Sequence, residues 1–211
     1  LDPPSISADG SRVAFAAIPS SSSQAGETCA TGSGVPCLEI YLYERQTGAI
    51  HSITRGWDGK SANGDSYSPA ISADGKNIAF WSAASNLVEG QAAMCDTEAE
   101  AQGCVFGYIY NMDRGGISWL PIPTDHGRLG FGRINISGDG EYITYTAVNS
   151  LNNANPSIQS YVFDRSKGIF ESLNIAFNGA LGNGNTYGAV MDVSGRYVAF
   201  VSDSSNLVPD D

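Results

Sequence analysis

"SPAISADGKNIAF", residues 68–80, recurs as "PSISADGSRVAF" at 4–15, as "INISGDGEYITY" at 134–145 and, more loosely, as "VMDVSGRYVAF" at 190–200. Aligning the Asp-Gly turns puts Asp9, Asp74 and Asp139 at spacings of 65 and 65, with Ser194 in the equivalent place 55 further on. A phrase repeated at a nearly fixed period marks a repeat architecture. Within each copy an alternating apolar segment (Ile6, Ile71, Ile136, Val193) runs into the turn. A second alternating segment leaves it: Val13 and Phe15, Ile78 and Phe80, Ile143 and Tyr145, Val198 and Phe200. Period-two alternation around a Gly turn predicts a β-hairpin.

A second hairpin follows in the first three copies, at 38–54, 106–122 and 158–174, each again turning on Gly. Four strands per unit, repeated in tandem without helical periodicity, predict an all-β chain of four-stranded antiparallel propeller blades. A β-sandwich also uses short strands, but has no reason to repeat one hairpin phrase at a fixed period. The blades fall at about 4–54, 68–122 and 133–174. Only the first hairpin of a fourth follows, at about 189–202, so the chain carries about three and a half blades.

The segments "ISADGKNIAFWSAASNLV", "YLYERQTG", "VFDRSKG" and "GRYVAFVSDSSNLVPDD" resemble the TolB-like, WD-related propeller repeats of many exported bacterial proteins. The likeness runs over nearly the whole chain and implies the propeller fold. It implies less about function, because such repeats occur in periplasmic interaction proteins, in peptidase propeller domains and in surface proteins of several kinds.

Composition narrows the classes. A 211-residue chain has material for a sizeable core. With 22 acidic residues against 11 basic ones, a net charge of −11 and no Lys/Arg cluster, nucleic acid and anionic membranes are excluded as expected partners. No apolar run is long enough to span a bilayer as a helix, and the opening "LDPP" reads as a processed or excised start. The four cysteines form two close pairs, Cys29 with Cys37 and Cys95 with Cys104, without the tight knuckles zinc prefers. They predict two local disulfides and an oxidising, extracellular or periplasmic location at the cell surface.

Candidate sites are few. Asp96, Glu98 and Glu100, and in "DGKSANGD" Asp58, Asn63 and Asp65, offer oxygen donors for calcium. Neither stretch has the ligand spacing of an EF-hand, and a hydrated acidic surface is the preferred reading. Calcium is thus the one cofactor with any donors in sight. For catalysis there is no G-x-S-x-G elbow, and the two histidines, His51 and His126, fall on an outer strand and an inter-blade loop, so no enzyme activity is expected. Trp57 and Tyr67 are the aromatics placed for exposed contacts. The N-x-S match at Asn135 lies on an inner strand, where a glycan would not fit.

The half blade remains. Two strands with an open edge and apolar faces tend to acquire a further strand, and three readings follow: a fragment of a longer propeller, self-association, or a four-bladed barrel with a defective last blade. Self-association makes the half blade itself functional. It places the interface at Ile6, Val13 and Phe15 at one end and Val193, Val198 and Phe200 at the other, with further copies or another protein as partner. The alternatives are a propeller domain of a secreted, peptidase-like hydrolase and a calcium- or glycan-binding module using the long loops.

Overall fold

The computed structural model describes residues 2–19, 29, 36–90, 105–121, 130–149 and 157–209, and among them every regular element is a β-strand. Three antiparallel sheets have four strands, in meander order: β1 (Ser5–Ile6), β2 (Arg12–Ala17), β3 (Glu39–Glu44) and β4 (Ala49–Ser52); β5 (Ser66–Ile71), β6 (Asn77–Ser82), β7 (Phe106–Asn111) and β8 (Gly116–Trp119); β9 (Gly130–Ile136), β10 (Tyr142–Asn149), β11 (Ser157–Asp164) and β12 (Ile169–Ser172). A two-stranded sheet of β13 (Thr186–Met191) and β14 (Val198–Ser202) follows. The chain divides into two compact units, Leu1–Pro121 and Ile122–Asp211.

Each Asp-Gly turn folds for a local reason. In the second blade the Ser72 hydroxyl donates to Asp74 Oδ1 at 2.5 Å and accepts the Asn77 amide at 3.0 Å, while Asp74 Oδ1 accepts the Lys76 amide at 2.9 Å. Ser7 with Asp9, and Ser137 with Asp139, make the same set of bonds. Serine and aspartate therefore satisfy the amides that the tight turn leaves without strand partners. At the fourth turn the two residues change places. Asp192 accepts the Tyr197 amide at 2.7 Å and the Ser194 hydroxyl at 2.5 Å, so the network persists with donor and acceptor exchanged.

In the first unit the core lies between the two blades. The first contributes Ala14, Ile40 and Leu42, the second Ile71, Ile78, Phe80 and Tyr108, all at or below 6% exposure. Alternation decides which side each supplies. Ala14 and Leu42 are cross-strand partners on one face of the first blade, and Phe80 and Tyr108 are partners on the opposite kind of face of the second, their rings stacked at 5.6 Å. An aliphatic face thus covers an aromatic one. Bonds from one blade to the next fix the register: Ala8 N to Ala73 O at 3.0 Å, Ile71 N to Ser5 Oγ at 3.0 Å and Arg12 Nη1 to Gly75 O at 3.0 Å.

The second unit repeats the scheme with less material. Strand β13 packs on β9, β10 and β11, and Gly138 N donates to Val193 O at 2.7 Å as Ala8 does to Ala73. Gly195, at φ +71°, lies against the Tyr142 ring so closely that a Cβ would collide with it. Glycine there serves both the left-handed turn and the approach of one sheet to the next.

Candidate assembly surfaces

Strands β1 to β4 carry one continuous apolar row. Ile6 pairs with Val13, Val13 with Tyr43 and Tyr43 with Ile50, and beside this row Phe15 pairs with Tyr41, their rings stacked at 5.8 Å. The equivalent row of the second blade, Ile71, Ile78, Tyr110 and Ile117, belongs to the core or packs against it. On the first blade it is bare at its ends: Ile6 is 61% and Ile50 60% exposed, against 6% for Ile71. Burial, and then the neighbouring Glu39 carboxylate, push the Tyr41 hydroxyl up to about 12, so it is uncharged at neutral pH. Glu39 is itself buried and accepts the Ser52 hydroxyl at 3.0 Å.

The half blade has the complementary deficiency. Val190 pairs with Ala199 and Tyr187 with Val201, and these four side chains are exposed together with Tyr197. Their counterparts on β5 and β6 are Ala70, Ala79, Tyr67, Trp81 and Asn77, of which only Tyr67 is more than marginally exposed. Among the described residues β14 pairs with β13 alone, whereas β6 pairs with β5 and with β7.

The predicted interface residues divide accordingly. Ile6, Val13 and Phe15 lie on the bare face of the first blade, with Val13 and Phe15 half-buried. Val193 is exposed beside the Asp192 turn, whereas Val198 and Phe200 are half-buried on the face opposite Ala199 and Val201. Sequence reasoning selected Phe200 because it recurs in register with Phe15. Of the residues that line the exposed face, Tyr187 recurs as Tyr67 and Ala199 as Ala14 and Ala79, whereas Val190 and Val201 stand where the other blades have variable residues.

Cys29 and Cys37 form a disulfide. Cys95 and Cys104, the acidic residues Asp96, Glu98 and Glu100, and His126 lie outside the described residues. The other calcium candidates serve loop bonds. Asp58 accepts the Lys60 amide at 3.1 Å, and Asn63 exchanges two bonds with Ser85, donating to its Oγ at 2.8 Å and accepting its amide at 2.8 Å. Asp65 Oδ1 accepts the Leu38 amide at 2.8 Å and lies 3.7 Å from Cys29 Sγ. Asn63, Ser85 and Asn86 have counterparts 120 residues later in Asn183, Ser205 and Asn206, with the same bonds. Asn185 replaces Asp65 and accepts the Ile158 amide at 2.8 Å, while its own amide and Nδ2 donate to the Asp203 carboxylate, so the negative charge moves from the one position to the other. These are latches that fasten the "NG" turn to the "SSNL" or "ASNL" segment, a combination the sequence carries twice.

Trp57 is exposed, while Tyr67 is half-buried and pushed up to about 12 by that burial and by the nearby Asp2 and Asp65. His51 Nε2 lies 3.7 Å from Glu44 on the outer strand. The Asn135 amide donates to Ala189 O at 2.8 Å, so its nitrogen is engaged.

The sequence matches no protein-family model and no curated protein. Solved structures do resemble it. A TolB-assigned protein from Agrobacterium tumefaciens aligns over 95% of this chain and 53% of its own, with 18% identity and a TM-score of 0.54. The fold is that of the TolB-like β-propellers. Oligogalacturonate lyase from Vibrio parahaemolyticus aligns over 95% of this chain and 45% of its own, at 11% identity and a TM-score of 0.55. Tricorn protease aligns over 97% and 22%, at 14% identity and 0.50. The likeness is one of fold, shared by a TolB-assigned protein and by enzymes alike. This chain spans about half the length of the first two propellers, or less.

Proposed function

We propose that the chain is an exported, non-enzymatic propeller module that assembles with further copies of itself through its incomplete terminal blades. The observation that carries the reading is the half blade: among the described residues, two strands with an exposed apolar face and no further strand paired to them. Exposed apolar faces of this kind mark interaction surfaces, and open strand edges accept partner strands. The Cys29–Cys37 disulfide supports export, because such bonds persist in oxidising compartments. The charge of −11 keeps an assembling protein soluble while the contact faces themselves stay uncharged.

The native mass in solution tests it. Light scattering across a concentration series should give particles that are multiples of 22.1 kDa, growing with concentration. A particle of 22.1 kDa at every concentration would remove the self-assembly reading.

A further inference from the structure

The two bare faces are of different kinds, and the first unit holds a worked instance of how such kinds fit. There the Ala14, Ile40 and Leu42 face of one blade covers the Ile78, Phe80 and Tyr108 face of the next. The first blade also presents Val13, Phe15 and Tyr41, equivalent residue for residue to Ile78, Phe80 and Tyr108, and among the described residues Ile6 and Ile50 at the ends of the row stay 61% and 60% exposed. The half blade presents Ala199 and Val201, which stand where Ala14 and Ala16 stand. The second-strand part of the covering face is therefore present on the half blade, while the Ile40 and Leu42 positions belong to a third strand.

We infer that the partner is a second copy of this chain bound head to tail, the Val190–Ala199 and Tyr187–Val201 face of one half blade covering the Ile6–Val13–Phe15–Tyr41 face of the next copy. The inference rests on the self-assembly reading and adds its polarity. A contact between unlike faces is heterologous: it closes into a ring if the rotation permits and otherwise extends as a filament, and it does not stop at a two-fold dimer.

Two blocked variants decide the polarity. Val201→Glu blocks the half-blade face and Ile6→Glu the first-blade face; both sites are exposed, so folding should survive, as circular dichroism would verify. Glutamate is chosen because a buried unpaired carboxylate is heavily penalised and an acidic protein offers it little compensation. Each variant alone should assemble at least about 100-fold more weakly than the parent protein. An equimolar mixture should recover a 1:1 heterodimer and nothing larger, since each variant retains the face the other lacks. If Ile6→Glu fails to fold, Ile50→Glu in the same row replaces it. An Ile6→Glu protein that assembles like the parent, or two assembly-deficient variants that fail to complement, would overturn the head-to-tail contact while leaving self-assembly standing. A monomeric parent protein would remove both, and would assign the bare faces to a different protein or to other residues of a longer polypeptide.

Discussion

Hairpins β5–β6 and β13–β14 are built alike and end in different environments. Both have a bulge after the second residue, between Tyr67 and Ala70 in one and between Tyr187 and Val190 in the other. Both end in an Asn-Ser-Asn latch, and both turn on a Ser/Asp pair. Yet Trp81 is fully buried, and Val201, in its place, is 66% exposed. Local hydrogen bonding therefore specifies the hairpin in each case, and only the presence or absence of neighbouring strands decides how much apolar surface it buries. Strand formation and burial are separable properties of this repeat.

The sharpest way to break that comparison is to cut the same side chain from both hairpins. Phe80→Ala should destabilise by about 3–5 kcal/mol and Phe200→Ala by about 1–2 kcal/mol, because the first leaves a cavity in a closed core and the second loosens a half-covered face. Urea denaturation followed by circular dichroism would measure both. Equal costs would mean that the half blade is as well packed as the complete one.

The bulges offer a smaller contrast. Ser68 sits at φ 55°, a left-handed conformation a side chain resists, whereas Gly188 holds φ 58° freely. The Ser68 amide donates to Asp2 Oδ2 at 2.8 Å, which helps hold it there. Gly188→Ser should cost about 1 kcal/mol and Ser68→Gly should be near neutral. The same melts read this difference, and a cost at Ser68 exceeding that at Gly188 would reverse the assignment of strain.

Acid should treat the ordinary and exchanged turns alike. The Ser11 amide, then the Ser7 and Ser11 hydroxyls, lower Asp9 to about 2. The Ser137 hydroxyl and then the Glu141 amide hold Asp139 low, and the Ser194 hydroxyl and then the Tyr197 amide hold Asp192 low. A carboxyl whose folded pKa lies below its unfolded one stabilises fully above the unfolded value, 3.8, and loses that contribution as pH falls toward the folded value. Melting temperature should therefore fall between about pH 4 and pH 2. Carboxyl chemical shifts followed through that range should show Asp192 titrating below an ordinary aspartate, as Asp139 does; an unshifted Asp192 would show that the exchanged turn is the weaker one.

Much of the fold is legible in the sequence because the period-two alternation of residues such as Ile78, Phe80, Tyr108 and Tyr110 coincides with the inward face of each blade. The turns are legible because their chemistry is local. The disulfide between Cys29 and Cys37 shows in the short spacing. Less legible is the face that lacks a partner: Ala199 reads as the same small residue as Ala79, and nothing in the string distinguishes a buried alanine from a bare one. The latches are likewise hidden, because Asn63 and Ser85 are 22 positions apart and meet only when the hairpin between them closes. Asp65 looked like an oxygen ligand for the same reason that it makes a good latch, a short side chain with an accepting oxygen.

The exchanged turn has a consequence for how this repeat changes over time. What the turn preserves is a pair, one hydroxyl donor and one carboxylate acceptor, rather than either letter at either place. Ser72 and Asp74 should then be strongly epistatic: altering either alone breaks the network, while exchanging both restores it. A lineage moving between the two forms one substitution at a time must pass through Ser-x-Ser or Asp-x-Asp, and the second sets two carboxylates against each other, which leaves the serine pair as the permissive route. Counting letters finds three copies of the turn, and counting its hydrogen bonds finds four.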